Sequence, residues 1–210
     1  VQGTLAARPV AQVVAMTDPQ VEGAGQASAS WPDDALMTRI AQGDSGAFAV
    51  LVDRYLAQAC SFIQRMTGLA EESEDVVQEA FLKVWQHAGT WDPGKGGVKT
   101  WFYRVLYNTA VDRMRRRLPA TGDELTEMPD IAANPEEVAQ ANHNGRRVKA
   151  AVDALPERQR AAVVLSYYEG LSNREAAEAL GVSIKALESL LVRARRTLAQ
   201  ELAPLSSMGD

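Results

Sequence analysis

The sequence predicts an all-α protein: two small helical domains joined by an acidic flexible linker, the C-terminal one carrying a helix-turn-helix. Three observations predict it. From Asp33 onward apolar residues recur at three- and four-residue spacing, and no run alternates as a strand would. The pattern breaks over 118–133, an acidic stretch interrupted by Pro119, Gly122 and Pro129. The 210 residues, 46% hydrophobic and 23% charged, have ordinary globular composition and room for two small domains.

Residues 1–32, rich in Ala, Gly, Gln, Ser and Pro, are expected to form a mobile tail, and Met16 is a candidate native start. A short helix over 33–42 ends at Gly43. Asp44 can cap a second helix, whose inward residues are Phe48, Leu51, Val52, Tyr55, Ala59, Phe62, Ile63 and Met66, and Gly68 stops it. A third runs over 70–87, its Glu71, Glu72, Glu74 and Asp75 suiting the positive end of the helix dipole and Val76, Val77, Ala80, Phe81 and Val84 forming its apolar stripe. The stretch 92–97 is a loop by its Pro and Gly content. A fourth helix over 98–117 turns Phe102, Val105, Leu106, Thr109 and Ala110 inward, closing the first domain at 33–117.

After the linker at 118–134, Asn134 with Pro135, Glu136 and Glu137 starts a helix to about residue 154. Pro156 opens the next, which ends at Gly170. Ser172 and Glu175 fit a capping box, Gly181 closes that helix, and Ser183 caps a last one to about residue 202. The second domain is thus 135–203, followed by a short tail at 204–210.

The net charge of −5 and pI near 5.2 argue at first against a nucleic-acid partner, but the charges are segregated. Residues 33–80 hold nine acidic and three basic groups, 118–145 six acidic and no Lys or Arg, and 99–117 six basic and one acidic. A single cysteine, Cys60, and two separated histidines, His87 and His143, give no disulfide framework, metal site or cofactor. Cys60 reads as a small buried hydrophobe. No apolar run approaches the roughly 18 residues of a membrane span and no secretion signal opens the chain, so a cytoplasmic protein without membrane insertion is expected. No nucleophile–base, metal or phosphate-loop arrangement supports catalysis.

Two constellations remain. In 173–192, Ala177, Gly181, Leu180, Val182, Leu187 and Leu190 stand where a helix-turn-helix needs its crossing, turn and locking residues, and an ordinary helical hairpin would use the same set. Outward positions are Ser183, Lys185, Glu188 and Ser189, followed by Arg193, Arg195 and Arg196 for phosphates. The fourth helix and its approach hold Phe81, Trp85, Trp91, Trp101, Phe102, Tyr103 and Tyr107 beside Arg104, Arg113, Arg115, Arg116 and Arg117. Such aromatics either fill a core, as expected of Phe102, or stack on unpaired bases, at about 1–3 kcal/mol per base. A free-standing regulator using the helix-turn-helix alone leaves this helix unexplained.

The sequence resembles the extracytoplasmic-function (ECF) sigma factors of bacterial RNA polymerase. The carriers are Glu74-Asp-Val-Val-Gln-Glu-Ala-Phe-Leu-Lys-Val-Trp85, the run from Thr100 to Arg117, Leu155-Pro-Glu-Arg-Gln-Arg160, Glu169-Gly-Leu-Ser172, Glu175-Ala-Ala-Glu-Ala-Leu-Gly-Val-Ser183 and Arg193-Ala-Arg-Arg196. The resemblance implies that Asp75, Gln78, Glu79, Phe81 and Lys83 dock on core RNA polymerase. Lys99, Trp101, Tyr103, Arg104, Tyr107, Asn108, Asp112, Arg113 and Arg116 would hold the melted −10 element of promoter DNA. Arg174, Ser183, Lys185, Glu188, Ser189, Arg193, Arg195 and Arg196 would read the −35 duplex. The linker carboxylates would stand in for RNA, and an anti-sigma factor would hold the protein inactive. Glu188 and Leu190 depart from the family's basic recognition-helix positions, and Lys185 stands where Gly is common.

Overall fold

The computed structural model describes residues 30–68, 73–117 and 141–203. The expected N-terminal tail up to residue 29, the linker, the helix start at Asn134, the C-terminal tail, and Glu71 and Glu72 lie outside these residues. Within them the chain is helical: α1 (Asp33–Ile40), α2 (Ser45–Thr67), α3 (Ser73–His87), a 3-10 turn (Ala88–Thr90), α4 (Val98–Arg117), α5 (Ala141–Asp153), α6 (Glu157–Val163) continuing as a π segment (Val164–Tyr168), α7 (Asn173–Leu180) and α8 (Ile184–Leu202).

Local chemistry sets the ends of these helices. The Asp44 carboxylate accepts from the Ala47 amide at 3.0 Å, and that bond holds its pKa below the ordinary value. Gly68 closes α2 at φ +71°, a left-handed conformation that a side chain would strain. At the other end of the first domain, Asp33 accepts from both Arg54 and Tyr55 and ties α1 to the middle of α2.

The core of the first domain is a run of aromatic rings from three helices. Phe102 lies 5.3 Å from Phe81 and 4.8 Å from Tyr55, and Tyr103 lies 5.3 Å from Phe62, in the tilted or edge-on arrangements that ring quadrupoles favour. The expectation that no apolar run reaches membrane-span length is corrected by α2. It is the one helix among the described residues long and apolar enough, its 18-residue window averaging a hydropathy of 1.2. Its Phe48, Leu51, Phe62 and Ile63 are buried against α3 and α4, the environment of a core helix, while Asp53 faces outward. Cys60 is half-buried on α2, and burial pushes its thiol pKa up, which lowers its thiolate fraction.

In the second domain α8 packs on α5, α6 and α7 through Leu187, Leu191 and Ala194. The helix expected from Pro156 to Gly170 differs in its second half, where the Glu169 amide donates to the Val164 carbonyl at 3.0 Å, five residues back. The widened turn keeps Val164 and Leu165 in the core and delivers Tyr168 and Glu169 to the first domain. There α7 lies along α4, and Arg160 of α6, 7% exposed, donates to the carbonyl of Met66 near the C-terminal end of α2 at 3.0 Å.

Asp44→Ala is expected to cost about 1 kcal/mol of stability at neutral pH, measured by urea unfolding followed by circular dichroism. A carboxyl whose folded pKa is depressed stabilises above its unfolded pKa and stops doing so as pH falls through the folded value, so the difference between variant and parent should shrink as the pH is lowered below the ordinary carboxylate range.

Candidate nucleic-acid interface

A structured loop leads into α4. The Trp91 indole donates to the Gly96 carbonyl at 3.2 Å, and the Asp92 carboxylate accepts from the Gly94 amide at 2.9 Å. A Cβ at Gly96 would meet the carboxylate end of Glu178 on α7, which must then shift, and the φ of +157° there favours glycine.

The candidate residues of α4 divide into two stripes. Trp101 is half-buried, and Arg104, Asn108, Asp112 and Arg116 follow at helical spacing with their side chains exposed. Lys99, Tyr103 and Tyr107, at i, i+4 and i+8, turn instead toward the second domain. The Lys99 ammonium donates to the backbone carbonyl of Glu169 at 2.6 Å, the Tyr103 hydroxyl to the Glu169 carboxylate, and the Tyr107 hydroxyl to Glu157 at 3.3 Å. Tyr103 and Tyr107 are 1% and 8% exposed, so the expectation that they face DNA is corrected for this conformation: their rings are packed and their hydroxyls engaged. Burial and the adjacent carboxylates raise both phenol pKa values, that of Tyr107 to about 12.

On α3, Asp75 pairs with Arg113 at 3.5 Å, and Glu79 pairs with Lys83 at 2.9 Å and lies 3.9 Å from Arg116. The presumed polymerase-docking carboxylates and two of the presumed DNA-holding arginines therefore form one ionic surface. Phe81 does not belong to it: its ring is 1% exposed and locked between Phe48 and Phe102, leaving nothing to dock. Leu82, one turn beyond Gln78, is the exposed apolar residue beside it at 42%. The i, i+4 spacing from Gln78 could have identified it.

The Ser172–Glu175 capping box forms, with the Ser172 amide donating to Glu175 at 2.8 Å, and Gly181 turns the chain at φ +65°. Ser183 caps α8 by accepting from the Ala186 amide at 3.1 Å. Arg174, Ser183, Lys185, Glu188, Ser189, Arg193, Arg195 and Arg196 are all exposed. Leu190 is only half-buried, because the helical repeat gives the inner position to Leu191. The outward face also carries Ile184 and Val192, 46% and 61% exposed, which sequence reasoning passed over.

Residues 51–118 match the family model for sigma-70 region 2, and residues 145–198 the model for sigma-70 region 4. The chain is 31% identical over 161 residues to the ECF RNA polymerase sigma factor SigK of Mycolicibacterium vanbaalenii, covering 74% of this chain and 82% of that one. The chain belongs to the ECF sigma factors. It is also 32% identical over 161 residues to the ECF RNA polymerase sigma factor SigE of Mycolicibacterium smegmatis, covering 75% of this chain and 62% of the relative's length. Among solved structures, CnrH in complex with the cytosolic domain of CnrY matches with a TM-score of 0.63 and 27% identity, over 82% of this chain and 97% of CnrH.

Sigma factors are transcription regulators and not enzymes in the ordinary sense. In this ECF sigma factor the two stretches matched by family models carry the two candidate DNA surfaces, α4 in the first and the exposed face of α8 in the second. Arg195→Ala and Arg196→Ala are each expected to weaken duplex binding across all sequences and to reduce the slope of log K against log salt by about one. A salt titration by fluorescence anisotropy measures both effects.

Proposed function

We propose that this chain binds core RNA polymerase, directs it to promoters through −10 and −35 elements, and starts strand opening. The observation that carries this reading is the exposed stripe of α4, where Trp101 stands in line with Arg104, Asn108, Asp112 and Arg116 beside the 91–97 loop. An aromatic ring with guanidinium groups along one helix suits unstacked bases and their phosphates. In this reading residues 33–117 form the polymerase-binding and −10 domain, and Asp75, Gln78, Glu79, Lys83 and Leu82 make the docking face. Arg113 adds phosphate contact once Asp75 engages polymerase. Residues 135–203 form the −35 domain, whose α8 enters the major groove.

On α8, Lys185 can donate to guanine and Glu188 can accept from a cytosine amino group, with Ile184 and Val192 available to thymine methyls. Arg174, Arg193, Arg195 and Arg196 fix the register on phosphates, and Ser189 and Ser183 complete the polar face. The acidic linker, 118–134, passes through the polymerase in place of RNA, and the protein acts in the cytoplasm. CnrH was solved with the cytosolic domain of CnrY. A protein partner of that kind, an anti-sigma factor, controls this chain in the same reading.

The test is run-off transcription from core polymerase with this protein added, across a promoter library. Promoter-specific transcripts are expected, and none above core polymerase alone would overturn the reading. Trp101→Ala should impair transcription from duplex templates by about tenfold, since one lost stacking contact is worth about 1–3 kcal/mol. It should spare pre-melted templates and binding to core polymerase. Tight duplex binding without polymerase would instead favour a free-standing regulator.

A further inference from the structure

Several polar side chains on the outward face of α8 are already tied to the helix itself. The Ser183 hydroxyl oxygen accepts from the Ala186 amide at 3.1 Å as the helix cap. The Ser189 hydroxyl donates to the Lys185 carbonyl at 2.9 Å, and the Arg193 Nε donates to the Ser189 carbonyl at 3.2 Å, so both are turned onto their own backbone. Arg195 and Arg196 stand about three turns into the helix, beyond the N-terminal turns that meet base edges in a helix-turn-helix. Within those first turns Lys185 and Glu188 remain. Both are exposed, and neither side chain has an ion-pair or hydrogen-bond partner among the described residues. Three residues apart, they are neighbours on one helix face. Ile184 and Val192 beside them, 46% and 61% exposed, carry no group that competes for hydrogen bonds.

The two side chains make opposite demands on the groove. A carboxylate needs a donor there, and only the amino groups of cytosine and adenine supply one. An ammonium needs acceptors, and guanine presents two, O6 and N7. A single G·C pair meets both demands on the two halves of its major-groove edge. A T·A pair offers the same order with one acceptor in place of two and a methyl group beside it. We infer that Lys185 and Glu188 work as a matched donor and acceptor that read one G·C pair of the −35 duplex in one orientation, Lys185 on the guanine and Glu188 on the cytosine. This rests on the proposed −35 role of α8 and adds the base pair that it selects. Glu188 also supplies the rejection. Inverting the pair sets its carboxylate against guanine O6 and N7 and sets the Lys185 ammonium against the cytosine amino group, two repulsions at once.

The test uses the full-length chain with core polymerase and a pool of duplex DNA randomised over a window long enough to hold both promoter elements, with the bound duplexes sequenced. The parent should enrich an upstream motif containing one G·C pair whose inversion weakens binding about tenfold. Lys185→Ala and Glu188→Ala should each cut that preference to about threefold or less, and both at the same base pair. The double exchange of Lys185→Glu with Glu188→Lys keeps the net charge and should enrich the inverted pair. Circular dichroism checks each variant for parental helix content, and the alanine variants, which favour helix, keep the test decisive should the exchange unfold α8. An exchange that folds but keeps the parental orientation, or shows none, would overturn the inference, as would alanine variants that relax different base pairs. A parent that enriches no upstream motif would overturn the −35 reading and the inference with it. An upstream motif indifferent to both substitutions would overturn the inference alone.

Discussion

Everything in the first domain depends on how α4 is seated, and the packing around Phe102 seats it. This residue contacts Tyr55 of α2, Phe81 of α3 and its own neighbour Tyr103, with ring centroids 4.8, 5.3 and 5.8 Å away. A helix held on one side by rings of this size has little freedom to rotate, since a turn of a few tens of degrees would open voids in a close-packed core. The orientation that buries Phe102 fixes the other faces of α4. Trp101, Arg104, Asn108 and Asp112 are presented outward, and Lys99, Tyr103 and Tyr107 are aimed at the second domain.

The second constraint is electrostatic. Removing two carboxylates from water at a domain contact is costly unless donors meet them. Tyrosine hydroxyls are well suited to this because they bring a donor without a charge, and Glu169 receives one along with the longer-range attraction of Arg65. Arg160 solves the converse problem on the same contact. Its buried guanidinium finds carbonyl acceptors at Met66 and Leu155, at 3.0 and 3.1 Å, instead of a carboxylate. Both devices use groups from the two domains, so polar ties form part of the interface. An interface of that kind separates more readily than an apolar core.

Features written in local sequence were legible. Asp44, Gly68, Ser172, Gly181 and Ser183 act on backbone within four residues of themselves, and each does in the structure what its chemistry dictates. The apolar stripe of α3 was legible for the same reason, and it should have excluded Phe81 from any docking face, since one side chain cannot fill a core and meet a partner at once. Tyr103 and Tyr107 were not legible. Their positions on the helix are known from the sequence, but their burial comes from Glu169 and Glu157, 66 and 50 residues away. No periodicity within α4 encodes that. The π segment escaped as well, because one extra residue in a turn leaves apolar spacing almost unchanged while it redirects Glu169.

The charge balance takes its physical meaning from this arrangement. A net charge of −5 repels DNA at long range, but salt screens that repulsion beyond about a Debye length. What governs contact is which acids stand near which bases. Asp75 and Glu79 neutralise Arg113 and Arg116 on one side of α4, and Glu157 and Glu169 engage its tyrosines and Lys99 on another. Within the stripe through Arg104, Arg116 alone has such a partner among these contacts. The acidic residues are therefore distributed so that Arg113, Arg116 and Lys99 already have partners within the chain. In the proposed reading, a partner that engages Asp75 and Glu79 would release Arg113 and Arg116 for phosphate contact in the same step.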